Sequence, residues 1–222
     1  MSVKLRLKYS KTGRAKYISH LDLSVTMHRA FLRAETKLKY SEGFNPHPYI
    51  SVALPLKVGD ESLCELLDFA VAEDFVLMDG FLDGLNRAMP EGITAHDVYP
   101  QARKFSQIAW VEIHGNLYYN QKGSSFADKL KKRLSSDEII ISKKSKSGVS
   151  EINIAQYMKD VNLCSDENGS KISISACVSA QNPSITPDNI ISTFDGEYQH
   201  LMPMYYSFSR VNLYDADFLP FY

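Results

Sequence analysis

The 222 residues are 44% hydrophobic, 23% charged and 11% aromatic, an ordinary globular composition that excludes disorder, collagen-like repeats and coiled coil. Net charge is only −1, but residues 1–48 hold ten Lys/Arg against three Asp/Glu, a local +7, and residues 49–101 reverse it to −8. A basic first quarter concentrates positive potential as polyanion binders do.

Val3, Leu5, Leu7 and Tyr9 alternate with Lys4, Arg6, Lys8 and Ser10, a period of two that predicts a half-buried strand with a cationic wet face. Ser19-His20-Leu21-Asp22 is a capping-box pattern, so a helix is expected over residues 20–35. Leu23, Met27, Ala30 and Ala34, widened by Phe31, form its inward stripe. Asp22, Thr26, Arg29 and Arg33 form a second stripe, and the two arginines project together. Tyr40-Ser41-Glu42-Gly43-Phe44-Asn45-Pro46-His47-Pro48 reads as a loop kept extended before each proline.

Ile50–Leu54 and Glu65–Ala72 are expected strands, Phe75–Met89 a helix and Ile93–Tyr99 a strand. This β-α-β-β-α-β order is the split β-α-β plan. From Pro100 the pattern repeats: Trp110–His114 as strand, a helix capped by Ser124 or Ser125 and running to Leu134, β-rich Glu138–Ser142 and Lys171–Val178, a helix from Thr186 to Phe194, and a strand Tyr205–Leu213. Lys143–Gly148 reads as a basic loop and Ser165–Ser170 as a solvated turn. The predicted fold is α+β, two tandem ferredoxin-like units, 1–105 and 106–222, packed as one body.

No run approaches the ~18 apolar residues of a membrane span, and the N-terminus reads as a strand rather than a signal peptide. No membrane association and a cytoplasmic location are the expectation. Cys64, Cys164 and Cys177 are scattered, so no zinc ribbon, iron–sulfur cluster or other cofactor is expected. Nucleophile-elbow, Walker, dinucleotide and His-Glu-x-x-His motifs are absent from the sequence, which removes ordinary hydrolase, kinase and dehydrogenase readings.

Ser19 and Asp22 are explained by capping, whereas His20 is not needed for it. Convergence of His20 and His47 with a carboxylate such as Asp22 or Glu42 would suit a metal, but the separation of these residues ranks that below capping, and no metal site is predicted. On the proline loop, Phe44 can stack on a base, Asn45 can pair with one, and His47 can act as acid, base or phosphate donor. The predicted site is one cleft where the helix start meets this loop: Asp22, Arg29, Arg33, Tyr40, Glu42, Phe44 and Asn45 bind substrate, with His20 and His47 catalytic if the protein is an enzyme.

Ser-Lys-Thr-Gly-Arg-Ala-Lys-Tyr-Ile-Ser-His-Leu-Asp-Leu from Ser10, Tyr-Ser-Glu-Gly-Phe-Asn-Pro-His-Pro from Tyr40, Leu-Pro-Leu-Lys-Val-Gly from Leu54 and Glu-Ser-x-Cys-Glu from Glu61 resemble the bacterial radical SAM-linked protein family. The resemblance continues more weakly through Glu151–Ile154 and Ser209–Tyr214, with Asn153 where an acid is expected. It implies a radical SAM protein as partner and no particular reaction. Two functions follow as expectations: an accessory or substrate-recognition protein binding RNA or another anionic substrate, or a metal-independent RNA-cleaving or RNA-modifying enzyme using His20 and His47. The second draws on a layout similar to the repeat-associated endonucleases that process CRISPR RNA.

Overall fold

In a computed structural model that describes residues 3–120, 124–145 and 148–222, the alternating N-terminal segment forms strand β1 (Val3–Lys11). The fold is mixed α+β, and its ladders are antiparallel. The chain divides into two compact units, one that runs to Gln107 and takes in Tyr222, and a second of Ile108–Phe221.

In the first unit β1 lies between β3 (Glu61–Val71) and β4 (Ile93–Pro100), and β2 (Ile50–Val52) pairs with β3. The strand order is therefore β4-β1-β3-β2. Leu5 lies opposite Phe69 and Leu7 opposite Leu67, so the apolar halves of both strands share one face. Helix α1 (His20–Arg33) covers that face with Leu23, Met27, Ala30 and Phe31, all buried, and the Phe31 and Phe69 rings meet at 4.6 Å between centroids. Helix α2 (Phe81–Ala88) adds Leu85. It is shorter than the predicted 75–89 because Gly80, at φ +82°, starts the helix from the left-handed region.

Ser19 caps α1 as its sequence predicts: its Oγ accepts from the Asp22 amide at 3.2 Å and donates to Asp22 Oδ2 at 2.7 Å. Ser19→Ala removes both bonds and is expected to lower stability by about 1 kcal/mol, checked by urea unfolding. A loss below about 0.3 kcal/mol, where glycine-like caps fall, would show that the cap does not hold the helix start.

The second unit has strands β5 (Trp110–Tyr118), β6 (Ile140–Ser145), β7 (Gly148–Asn153), β8 (Met158–Ser165), β9 (Lys171–Ser179) and β10 (Tyr205–Tyr214), with helices α3 (Ser124–Leu134) and α4 (Pro187–Ile191). Its sheet order is β10-β5-β9-β8, while β6 pairs only with β7. The predicted sheet strand over Glu138–Ser142 is thus corrected. That segment belongs to the β6–β7 ladder, and β8 takes the sheet edge. The predicted basic loop over Lys143–Gly148 is corrected in part: Lys143 lies within β6 and Gly148 opens β7, and residues 146–147 lie outside the described residues. The turn over Ser165–Ser170 forms around Asp166, whose carboxylate accepts from the Ser170 and Lys171 amides and the Ser170 hydroxyl.

Candidate functional site

The alternation that sends Leu5, Leu7 and Tyr9 under α1 sends Lys4, Arg6 and Lys8 to the other face of the first sheet. That face is only in part the wet cationic surface the sequence predicts: Lys4 is exposed, Lys8 is half-buried and Arg6 is covered. Arg6 is 0% exposed, because the chain leaving β4, residues 101–107, crosses over it. Its Nε donates to Asp68 Oδ1 at 2.6 Å, and its Nη2 donates to Asp68 Oδ2 at 3.0 Å and to the Arg103 carbonyl at 2.6 Å. The guanidinium sits 4.5 Å from the centroid of the Phe105 ring, and Gln101 Nε2 donates to Asp68 Oδ2. Lys11 is also buried; desolvation holds its ammonium below the usual lysine range, with the Glu65 and Asp60 charges opposing.

Beside this buried pair opens a cavity of about 550 Å³, lined by Lys4, Lys39, Tyr49, Ser51, Gln101, Lys104 and Phe105 around a floor of Asp68 and Ala70. Lys4, Lys39 and Lys104 are exposed. None of their ammonium groups has an ion-pair or hydrogen-bond partner among the described residues. Three exposed lysines and two aromatic rings around one concavity give it the charge and the size to suit an anionic ligand.

The proline loop is rooted in the cavity wall. Its stems are Lys39–Tyr40 and Pro48–Tyr49: the Tyr49 amide donates to the Lys39 carbonyl at 3.0 Å and Tyr40 bridges Pro48. Inside the stems the Ser41 amide donates to the His47 carbonyl at 2.8 Å, and the His47 amide to Ser41 Oγ at 3.0 Å. Gly43 turns the tip at φ +119°. Tyr40 OH lies 2.7 Å from His28 Nε2 on α1, which ties one stem to the helix. At the tip Phe44 is fully exposed, with a relative exposure of 113%.

Of the sequence-predicted site residues, Tyr40, Glu42, Phe44, Asn45 and His47 share this braced loop. Asp22 stays at the helix start with Ser19, and the exposed His20 ring has no partner among the described residues. No hydrogen bond or ion pair there joins His20 or Asp22 to Glu42–His47. Arg29 is exposed and without a side-chain partner among the described residues, whereas Arg33 Nη2 donates to the Ala88 carbonyl and ties α1 to α2. Sequence reasoning does not find Lys39, Tyr49, Asp68, Gln101, Lys104 or Phe105. Only Lys39 and Tyr49 carry a local signal, as the flanks of the proline loop.

Helix α1 also carries exposed Leu21, Val25 and Leu32, one stripe at spacings of 4 and 7, roughly 200° from the buried stripe by the ~100° per residue of an α-helix. In the second unit, Glu112 accepts from His114 Nε2, Asn212 Nδ2 and Tyr214 OH at 3.0, 2.8 and 2.7 Å. Burial raises its carboxyl pKa, but these donors outweigh it and leave the group below its ordinary value. Burial pushes the Cys177 thiol up to about 11. Among the described residues no three His, Cys, Asp or Glu side chains are grouped to hold a metal ion, and no helix is long and apolar enough to cross a membrane.

Residues 4–187 match the family described as an uncharacterized protein conserved in bacteria (DUF2344). No curated protein matches the chain. Among solved structures, the crystal structure of an unknown protein from Galdieria sulphuraria is similar at 7% identity, covering 81% of this chain and 82% of that one with a TM-score of 0.27.

Proposed function

We propose that this chain, which belongs to the DUF2344 family of uncharacterized proteins conserved in bacteria, is a recognition protein that binds single-stranded RNA through its first unit and serves a separately encoded radical SAM enzyme. The observation that carries the RNA reading is the fully exposed Phe44 on a braced loop whose stems form one wall of the lysine-rimmed cavity. Single-strand binders combine these two elements, aromatic platforms for bases and a cationic track for phosphates. The strand orders β4-β1-β3-β2 and β10-β5-β9-β8 support reading the two units as tandem ferredoxin-like folds, with β6–β7 inserted in the second. The radical SAM partner rests on the sequence resemblance; the exposed Leu21, Val25 and Leu32 stripe offers a protein-facing surface in keeping with it.

Fluorescence anisotropy on a short labelled single-stranded RNA tests the RNA half. Affinity is expected to fall as salt rises, with a log–log slope of roughly −0.7 per phosphate contacted. Changing Lys4, Lys39 and Lys104 together to Ala is expected to flatten that slope by about 2 on the same principle. A slope near zero in the unaltered protein would overturn the RNA reading. The partner half is tested by pull-down of the tagged protein from its native cell, and recovery of RNA without any radical SAM enzyme would overturn it. The purified protein alone is expected to leave RNA intact, in keeping with His20 and His47 rings that no hydrogen bond among the described residues orients. Metal-free cleavage lost in His47→Ala would establish the enzyme instead.

A further inference from the structure

At the cavity floor Lys4 lies in register with Ala70, and the Lys39 amide donates to the Ala70 carbonyl from the other side. The two lysines therefore flank a side chain too small to fill the space between them, their backbones about 10 Å apart at two strand spacings. Lys104 lines the same cavity from the segment that follows β4. The one carboxylate among the described lining residues is Asp68, and it is engaged by two hydrogen bonds from Arg6 and one from Gln101. Positive charge is in excess. About 7 Å further along β3 the sheet face is covered: Arg6 lies in register with Asp68, and the Arg103 carbonyl and the Phe105 ring lie against its guanidinium, leaving it 0% exposed.

We infer that this cavity holds the end of the RNA strand, gripping a terminal phosphomonoester between Lys4, Lys39 and Lys104 over Ala70. The inference rests on the RNA reading and adds to it the part of the strand that enters the cavity. Two features carry it. The cover over Arg6 stops a strand that enters over Ala70 from running on along the sheet, so what enters is an end. Charge then selects the group on that end. An internal phosphodiester carries one negative charge, whereas a phosphomonoester carries about −1.5 to −2 at pH 7 on three terminal oxygens. Three ammonium groups, each a donor of three hydrogen bonds and an acceptor of none, match the second. From Ala70 the strand leaves beside Lys39 and Tyr49, which are also the stems of the proline loop, so its remaining bases are led toward Phe44. The 5′ and 3′ ends share this chemistry and are separated by the test.

The test is competition, against a labelled strand bound to the full-length protein, of one short single-stranded RNA in three forms: with a 5′-phosphate, with a 3′-phosphate, and with hydroxyls at both ends. At least one phosphorylated form is expected to bind about tenfold or more tighter than the hydroxyl form, and the form that gains identifies the end. Its log–log salt slope is expected to be steeper by about 0.7. Lys4→Ala combined with Lys39→Ala is expected to bring the ratio of phosphorylated to hydroxyl form near one with the melting temperature unchanged, and Lys104→Ala, from the opposite wall, to lower the ratio as well. Phe44→Ala is expected to weaken all three forms alike. Equal affinity of the three forms overturns the inference and leaves the RNA reading standing. A phosphate preference that survives in the Lys4 and Lys39 double variant also overturns it, because the phosphate is then held outside the cavity. Failure of every form to bind removes the RNA reading, and the inference with it.

Discussion

Asp68→Ala is expected to lower folding stability by about 3–5 kcal/mol, the range for breaking a buried ion pair from one side. Arg6 is 0% exposed, and the Asp68 carboxylate pairs with it through two hydrogen bonds. Without that carboxylate the buried guanidinium loses two charge-assisted hydrogen bonds, and the bond to the Arg103 carbonyl and the contact with the Phe105 face supply no charge in exchange. The urea midpoint should fall with the slope unchanged, since the surface exposed on unfolding is nearly the same. Arg6→Leu combined with Asp68→Leu should lose much less than the two single changes added together, because apolar residues of similar volume often replace a buried pair at little cost. Additive losses would show that the two residues are not coupled, and that the wall of residues 101–107 is held by other contacts.

The same pair marks the limit of what local sequence carries. Alternation in Val3–Lys11 identifies the strand and the face that meets α1, because Leu5, Leu7 and Tyr9 bury on a period any sheet imposes. It does not separate a cation facing water from one facing a carboxylate 62 residues away. The cap at Ser19 is legible because its partner Asp22 is three residues on. Strand β8 escapes the pattern because its register shifts between Lys159 and Asn162, with Asp160 at φ +52°, which breaks the period of two. The cavity draws on β1, the segment before the proline loop, β2, β3 and the residues after β4. Lys104 and Phe105 carry no local motif, and only the fold brings them over Arg6.

Phe44→Ala is expected to weaken binding of single-stranded RNA by about 5- to 150-fold, from the roughly 1–3 kcal/mol that one aromatic–base stack contributes, while thermal stability stays within about 0.5 kcal/mol of the parent. The two effects separate because the ring, fully exposed at the loop tip, supports no packing, so its loss leaves no void. The loop keeps its shape without it: the Ser41–His47 bonds, the Tyr40–Pro48 bridge and the Tyr40–His28 contact involve other residues. Preorganisation is what gives the ring its leverage, since a base stacking on a braced loop does not have to order it first. Phe44→Trp should retain or strengthen binding and Phe44→Leu should not, because a stack needs a flat π-face and not merely apolar area. Binding unchanged in Phe44→Ala, with the lysine rim intact, would place the bases elsewhere and reduce the proline loop to a brace for the cavity wall.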